Sequence, residues 1–193
     1  MAKTRLSRLL RNKRAISSAV SNIILIVAAV LLSSVVVTFA ATITTLKVQS
    51  EKLYIASENI WYVNSTTSIA AVEISNTGPT ASVLTKIEVN GLQCQWNGTD
   101  SFVNYCEING TFSGDLPFVD QSNNNGNSTI NIGGQLYTFT SATEGLTIAP
   151  GYSAAFYVVV PNAILVYDLA TPVNIVITSS QAIYCTQTLV QSV

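Results

Sequence analysis

Four asparagines stand in the Asn-x-Ser/Thr triplet that accepts N-linked glycans in exported proteins. They are Asn64, Asn97, Asn109 and Asn127. A chain rich in Asn, Ser and Thr also produces such triplets by chance. If the chain is exported, we expect at least some of them to carry glycans. Only 10% of the residues are charged, and glycans would supply the hydration that charges supply on other protein surfaces.

Three cysteines are the other candidates for covalent chemistry. Cys94 and Cys106 lie symmetrically about Asp100, as they would in a hairpin loop. An extracellular location allows a disulfide between them, which would contribute about 3 kcal/mol through the entropy of the unfolded chain. Cys185 is then most simply a small buried core residue, and its pairing with either other cysteine stays open. Three cysteines without histidine do not favour a zinc site.

The chain has no histidine, which excludes His-based catalytic triads and His-ligated metals. The acidic residues of the middle of the chain are Asp100, Glu107, Asp115 and Asp120. Paired carboxylates can hydrolyse glycosides, and acids beside Asn-rich loops can hold calcium. Solvated loop charges are the commoner arrangement. We therefore predict a protein that is not an enzyme, with no catalytic residue, no metal and no cofactor.

The elements that carry these residues follow from the distribution of charge. Six of the nine basic residues precede Ala15, and the segment from Ala15 to Leu46 has no charged residue. Its centre, from Ile23 to Leu32, is unbroken aliphatic. About 20 apolar residues span a bilayer, so the pattern predicts one membrane helix with a cytoplasmic basic flank. A basic tail can also bind nucleic acid, but one that abuts a hydrophobic span does not favour such a partner.

The junction between the basic and apolar segments carries a resemblance. The run from Lys13 to Val20 reads Lys-Arg-Ala-Ile-Ser-Ser-Ala-Val and leads into Ile-Ile-Leu-Ile-Val. It resembles the class III signal of archaeal type IV pilins, in particular that of adhesion pilins. The resemblance implies that a prepilin peptidase recognises Lys13, Arg14, Ala15 and Ile16 and cuts between Ala15 and Ile16. It also implies an assembly ATPase and a membrane platform protein as partners during biogenesis.

The physical properties of the apolar segment agree with such a cut. A helix that is apolar on all sides must be buried on all sides, first by lipid and then, in a fibre, by neighbouring helices. The leader cations cannot enter that core, because each buried unpaired charge costs several kcal/mol. Small side chains would allow helices to approach closely; they are Ser17, Ser18, Ala19, Ala28, Ala29, Ser33 and Ser34. One departure is Val20, because bacterial type IV pilins have a glutamate at that position.

Downstream, the pattern changes to a period of two residues. Val72 and Ile74 alternate with Glu73 and Ser75, and Asn90-Gly91 is a strong hairpin signal. Many short strands with regular turn signals predict a sandwich. The segments Val72–Gly78 and Ile87–Gly91 resemble the Ig-like heads of archaeal pilins and archaellins. The predicted fold is α+β, a long hydrophobic N-terminal helix followed by an Ig-like antiparallel β-sandwich head.

The sequence thus predicts a leader over residues 1–15 that is removed, a helix over 16–58 and a head over 59–193. The predicted function is a structural pilin, inserted in the membrane as a precursor and then polymerised into an extracellular, adhesive pilus on the cell surface. The alternatives are an archaellin of a motility filament and a membrane-anchored cell-surface binding protein. A cut near Phe39-Ala40-Ala41 is a second choice for processing.

Overall fold

The computed structural model describes residues 2–48, 50–121, 124 and 126–193, without the side chains of residues 2–17 and 46–48. The chain divides into two compact units, Met1–Val48 and Gln49–Val193. The first unit is one α-helix, and the second is made of β-strands. An N-terminal apolar helix followed by a large sheet region confirms the predicted α+β class.

Helix α1 runs from Ala2 to Val48. Its apolar stretch also contains hydroxyl side chains, and these bond to the helix's own backbone. Thr38 Oγ1 donates to the carbonyl of Ser34 at 3.0 Å, and Thr42 Oγ1 donates to the carbonyl of Thr38 at 2.8 Å. Because their donors are satisfied within one helix, these residues can sit among apolar groups at little cost.

The second unit, here called the head, contains eleven strands and one short 3₁₀ turn. They are β1 (Leu53–Asn64), β2 (Thr67–Asn76), β3 (Ser82–Val89), β4 (Leu92–Gln93), β5 (Phe102–Asn109), β6 (Ser128–Ile132), β7 (Gln135–Ser141), β8 (Leu146–Ile148), β9 (Tyr152–Val160), the 3₁₀ turn Val166–Asp168, β10 (Pro172–Ser179) and β11 (Ile183–Ser192).

The prediction that the helix continues to about Glu58 is wrong, because α1 ends at Val48 and β1 begins at Leu53. The compact-unit boundary accordingly falls after Val48 and not after Glu58. The segment Leu53–Asn64 is rich in Ile, Tyr, Trp and Val, which favour strands. Glu58 does not face solvent on a helix; its carboxylate accepts a hydrogen bond from Thr186 Oγ1 at 3.1 Å across to β11.

The strands are hydrogen-bonded in the order β4-β3-β10-β11-β1-β2-β9-β5-β7-β6, with β8 paired to β3. All but one of the described pairings are antiparallel. The exception is β1 with β11, where Ile60, Trp61 and Tyr62 pair in parallel with Val190, Gln191 and Ser192. This pairing joins the first and last strands of the head and places the last residues of β11 beside Ile60–Tyr62.

Two clusters of buried side chains lie on opposite faces of the central strands. In the first cluster, Val72 and Phe156 from β2 and β9 pack with Ile87 and Ile177 from β3 and β10. Strands from two parts of the sheet therefore share one core, as in a sandwich. In the second cluster, Ile69 and Tyr157 of the same strands pack on the opposite face. Their neighbours are Phe139 of the β6–β7 hairpin and Phe112 and Leu116 of the segment before that hairpin.

The predicted hairpin at Asn90-Gly91 is confirmed. Val89 pairs with Leu92 across a two-residue loop. Asn90 and Gly91 have φ values of 51° and 77°, and two consecutive positive φ angles are what a type I′ hairpin turn requires. The turn fixes the register with which the chain enters the segment that follows β4.

Candidate functional site

Among the described residues, the side chains of α1 form a long exposed surface. Every side chain from residue 18 to residue 45 is exposed, and the span Ser18–Thr45 is long and apolar enough to cross a membrane. One side of the helix has a shallow groove lined by Ala29, Ser33 and Ser34 together with larger apolar residues such as Val30 and Val37. These small residues are part of the set that the sequence predicts for close helix contact. In water this surface would be strongly unfavourable, so an apolar environment must cover it.

The predicted peptidase site lies within α1. The backbone of Lys13, Arg14, Ala15 and Ile16 is helical and continuous with the apolar span. Their side chains lie outside the described residues, so the cleavage prediction stays a prediction.

The four predicted glycosylation sites are on the surface of the head, and the side chains of Asn64, Asn97, Asn109 and Asn127 are all exposed. Asn64 ends β1, and its Oδ1 accepts hydrogen bonds from the backbone N–H and the Oγ1 of Thr66, both at 2.9 Å. The exposure of the four residues is compatible with glycan addition, which itself stays a prediction.

The predicted disulfide is not formed, because Cys94, Cys106 and Cys185 are all free thiols. Cys94 packs in the first cluster, whereas Cys106 packs against the second cluster, on the other face of the central strands. Burial raises the pKa of the Cys94 thiol to about 12. Cys185 is exposed on β11, so its prediction as a buried core residue is wrong. Symmetry about Asp100 suggested a hairpin loop, but Cys94 lies beyond β4 and Cys106 lies inside β5.

The acidic residues do not form a metal site: no group of three or more Cys, Asp or Glu suited to a metal is present within the described part of the chain. Glu107 Oε1 accepts a hydrogen bond from the backbone N–H of Ala149 at 3.4 Å. Asp100 and Asp115 are exposed in loops. The calcium hypothesis therefore gains no support from these carboxylates.

Two carboxylates that the sequence pattern did not single out have structural roles. Glu51, just before β1, accepts hydrogen bonds from Ser179 Oγ and, at 3.1 Å, from the hydroxyl of Tyr184. Tyr184 accepts in turn from the backbone N–H of Leu53 at 3.3 Å. On the other side, Lys52 O accepts the N–H groups of Thr77 and Gly78 at 2.9 and 3.1 Å. The first residues of the head are thus held between two turns.

Glu73 is the second of these carboxylates. It is only 3% exposed and lies on the same face of β2 as Ile69 and Ala71. Its Oε1 accepts the backbone N–H of Phe112 at 3.3 Å, which attaches the segment before β6 to the sheet. Burial raises the pKa of the Glu73 carboxyl, and the hydrogen bond from Phe112 partly opposes that shift. Phe112 and Leu116, which are distant in sequence from Glu73, belong to the cluster that covers this face of β2.

No protein family and no curated protein matches the chain. Among solved structures, the chain is similar to the crystal structure of Spo0M, a sporulation control protein from Bacillus subtilis. The TM-score is 0.27 and the identity 11%, over 71% of this chain and 50% of that one. This chain therefore spans about half the length of that protein, and a TM-score this low does not indicate a shared fold.

Proposed function

We propose that this protein is the structural subunit of an archaeal type IV pilus, which polymerises through α1 and serves in surface adhesion. The observation that supports the proposal is the helix surface: side chains 18–45 are all exposed and uncharged. Lipid covers such a helix before assembly, and copies of the same helix cover it in a filament. In this function the head, as an Ig-like sandwich with glycans on its surface, forms the outside of the fibre.

The proposed maturation removes residues 1–15 by a cut between Ala15 and Ile16. The leader contains six cations, and these would be buried without partners if they entered a helical core. Because the apolar side chains are already out of water in the bilayer, moving them into a fibre gains little hydrophobic free energy. Assembly thus requires external work, which a cytoplasmic ATPase and a membrane platform protein would supply.

Mass spectrometry of filaments sheared from the cell surface tests the proposal. We expect subunits that begin at Ile16, with added mass at one or more of Asn64, Asn97, Asn109 and Asn127. Subunits that retain the arginine-rich leader, or that lack the helix, would contradict it.

A pair of leader variants sharpens the test. Replacing Lys13 and Arg14 with Gln should block processing and leave the full-length chain in the membrane. The matched control replaces Lys3 and Arg5 with Gln, which removes two charges away from the junction and should leave processing intact. Normal filaments from the first variant would mean that the cleavage signal lies elsewhere.

A second candidate function rests on the same helix. A membrane-anchored surface protein would keep α1 in lipid, and its membrane fraction would contain a chain with Met1 or the rest of the leader still attached. An archaellin would be processed like a pilin, so the distinguishing measurement is whether cells that lack the protein lose swimming or lose attachment. Swimming and surface attachment can both be measured in the same deletion strain.

A further inference from the structure

We infer that the head binds a neutral saccharide in a polar groove that begins at the end of the head opposite Leu53. The inference goes beyond the filament function, because the groove lies wholly within the head and would bind its ligand whether or not the chain polymerises. The groove consists of two adjoining depressions, and Gln93 and Gln95 line both of them.

The position of the groove follows from strand register. At the end where β1 begins, Leu53 pairs with Asn76. At the other end of the same strands, Ser68 pairs with Val160, the last residue of β9. Val160 and Pro161 line the first depression together with Leu92. The groove thus opens at the end of the head that lies farthest along the strands from its first residue.

The segment that forms the groove is held firmly. The backbone N–H of Cys94 donates to the carbonyl of Ile87 at 2.9 Å, and the N–H of Val103 donates to the carbonyl of Trp96 at 3.1 Å. Ser101 Oγ accepts the backbone N–H of Gln95 at 3.1 Å, and Trp96 Nε1 donates to the carbonyl of Thr85 at 3.3 Å. The backbone of the segment is therefore fixed, and the ordering cost of binding is confined to the exposed side chains of Gln93 and Gln95.

The first depression has a volume of about 380 Å³ and the second about 480 Å³. Each falls within the range of roughly 300–1,000 Å³ that is usual for small-molecule sites. Two adjoining depressions of this size suit an elongated ligand of two or three sugar rings better than a single small metabolite.

The chemistry of the lining selects hydroxyl groups. A glutamine amide offers two donors and one acceptor oxygen, and a carboxylate accepts from two neighbouring hydroxyls. Asp100 contributes a carboxylate to the first depression, and Glu144 contributes one to the second. Neither carboxylate forms an ion pair within the described residues, where the salt bridge present is Lys86 with Glu88. Two acids and no lining cation disfavour an anionic ligand, because like charges repel.

Apolar surface completes the site. Leu92 is 45% exposed and lies beside Pro161 and Val160 in the first depression. Trp96, which is 8% exposed, lines the second depression. Sugar rings have an apolar C–H face as well as hydroxyl edges, and such a mixed lining matches both.

The saccharide has two possible sources that share this chemistry. Thr99 lines the first depression and is also the third residue of the Asn97-Gly98-Thr99 glycan acceptor triplet. A glycan on Asn97 therefore starts beside the groove and could fill it. An external glycan on another cell or surface is the other source. Comparing glycosylated protein with the Asn97→Gln variant distinguishes the two.

The test is an NMR titration of the full chain in detergent micelles, with maltotriose, mannotriose and chitotriose as neutral probes. We expect saturable shifts of the Trp96 indole N–H and the Gln93 and Gln95 amides with at least one probe. The Trp61 indole is 5% exposed in the second cluster and serves as the internal control that should not shift. Gln93→Ala and Asp100→Ala should each weaken binding about tenfold.

The matched controls are Gln187→Ala and Asp115→Ala, which remove the same groups from exposed positions outside the groove and should not change binding. Binding by Asn97→Gln but not by glycosylated protein supports the groove with the chain's own glycan as its occupant, and binding by both supports an external ligand. Shifts that do not saturate, that persist in Gln93→Ala and Asp100→Ala, or that arise only with trilysine or with glucuronic acid would overturn the inference.

Discussion

Ile60, Val72 and Phe156 of the head have no exposed surface, whereas Ile24, Leu25 and Val30 of α1 are between 62 and 67% exposed. Both regions are rich in the same aliphatic residues. The head covers them with its own strands, on both faces of β2 and β9. The helix has no internal cover, and its stability as a structural element depends on whatever surrounds it.

The two regions differ in whether their apolar side chains are covered by the chain itself. A unit that buries its own core keeps its fold while its surroundings change. A helix that needs external cover can exchange lipid for protein at nearly equal free energy, since both are apolar. Substitutions should therefore separate the two regions: changes in α1 should alter location and assembly, and changes in the clusters should alter head stability.

The largest separation is expected from Val30→Asp, which places a charge at the middle of the apolar span. A charged side chain at the centre of a membrane helix costs roughly 2.5–3.5 kcal/mol on insertion scales. We expect surface filaments to disappear while the head stays folded. Filament yield after shearing measures the first effect, and the fluorescence of Trp61 and Trp96 measures the second.

Val30→Ile is the matched control, because it keeps the position apolar and should leave filament yield near that of the unchanged protein. Filaments at normal yield from Val30→Asp would mean that α1 is not covered by an apolar environment.

The converse variant is Phe156→Ala in the first cluster. Phe156 is fully buried and its ring stacks on Tyr105 at a centroid distance of 6.3 Å. Removing it leaves a cavity and should lower the free energy of unfolding of the head by about 3–5 kcal/mol. Denaturant titration of the detergent-solubilised chain gives that value. Membrane insertion of the precursor should be unaffected, and a loss of insertion would show that the two regions are not independent.

Much of this comparison is visible in the sequence. The apolar span of α1, the Asn90-Gly91 turn and several strands of the head follow from periodicity and turn residues. The second cluster does not, because local alternation cannot indicate that a distant hairpin covers the other face of a strand. The burial of Glu73 is therefore not evident from the sequence. Segment Leu53–Asn64 looked like the end of a helix, and its pairing with β2 and β11 is equally non-local.

The groove of the head was missed for a similar reason. Gln93 ends β4 and Gln95 lies two residues further on; both are neutral, and no short motif marks them. They become candidates for binding only once the turn after β3 brings them beside Asp100 and Pro161. Carboxylates are candidates for binding by residue type alone. Glutamine amides become candidates only when the structure shows that they line a groove.

A smaller effect is expected from Tyr157→Phe, which tests the second cluster. Tyr157 is fully buried, and its hydroxyl donates to the carbonyl of Pro117 at 2.7 Å. The phenylalanine keeps the ring, which packs edge-on against Phe139 at 5.3 Å. The loss of one hydrogen bond should lower the free energy of unfolding by about 1 kcal/mol. Amide hydrogen exchange should locate the change in residues 112–119, and uniform faster exchange in α1 instead would contradict the assignment.

The smallest expected effect concerns Glu73 and the way in which the free energy of unfolding of the head changes with pH. Burial raises the pKa of this carboxyl above its ordinary value of 4.5, so the folded head binds more protons than the unfolded chain between 4.5 and the raised value. The free energy of unfolding should therefore fall as pH rises through that interval. Glu73→Gln keeps an acceptor for the N–H of Phe112 and removes the titration. It should therefore flatten the pH dependence of the free energy of unfolding and be more stable than the unchanged chain near neutrality.

Asp115→Asn, at an exposed loop position, is the control. Denaturant titrations at intervals from pH 4 to pH 8 measure all three, and a slope that persists in Glu73→Gln would assign the pH dependence of the head to another group.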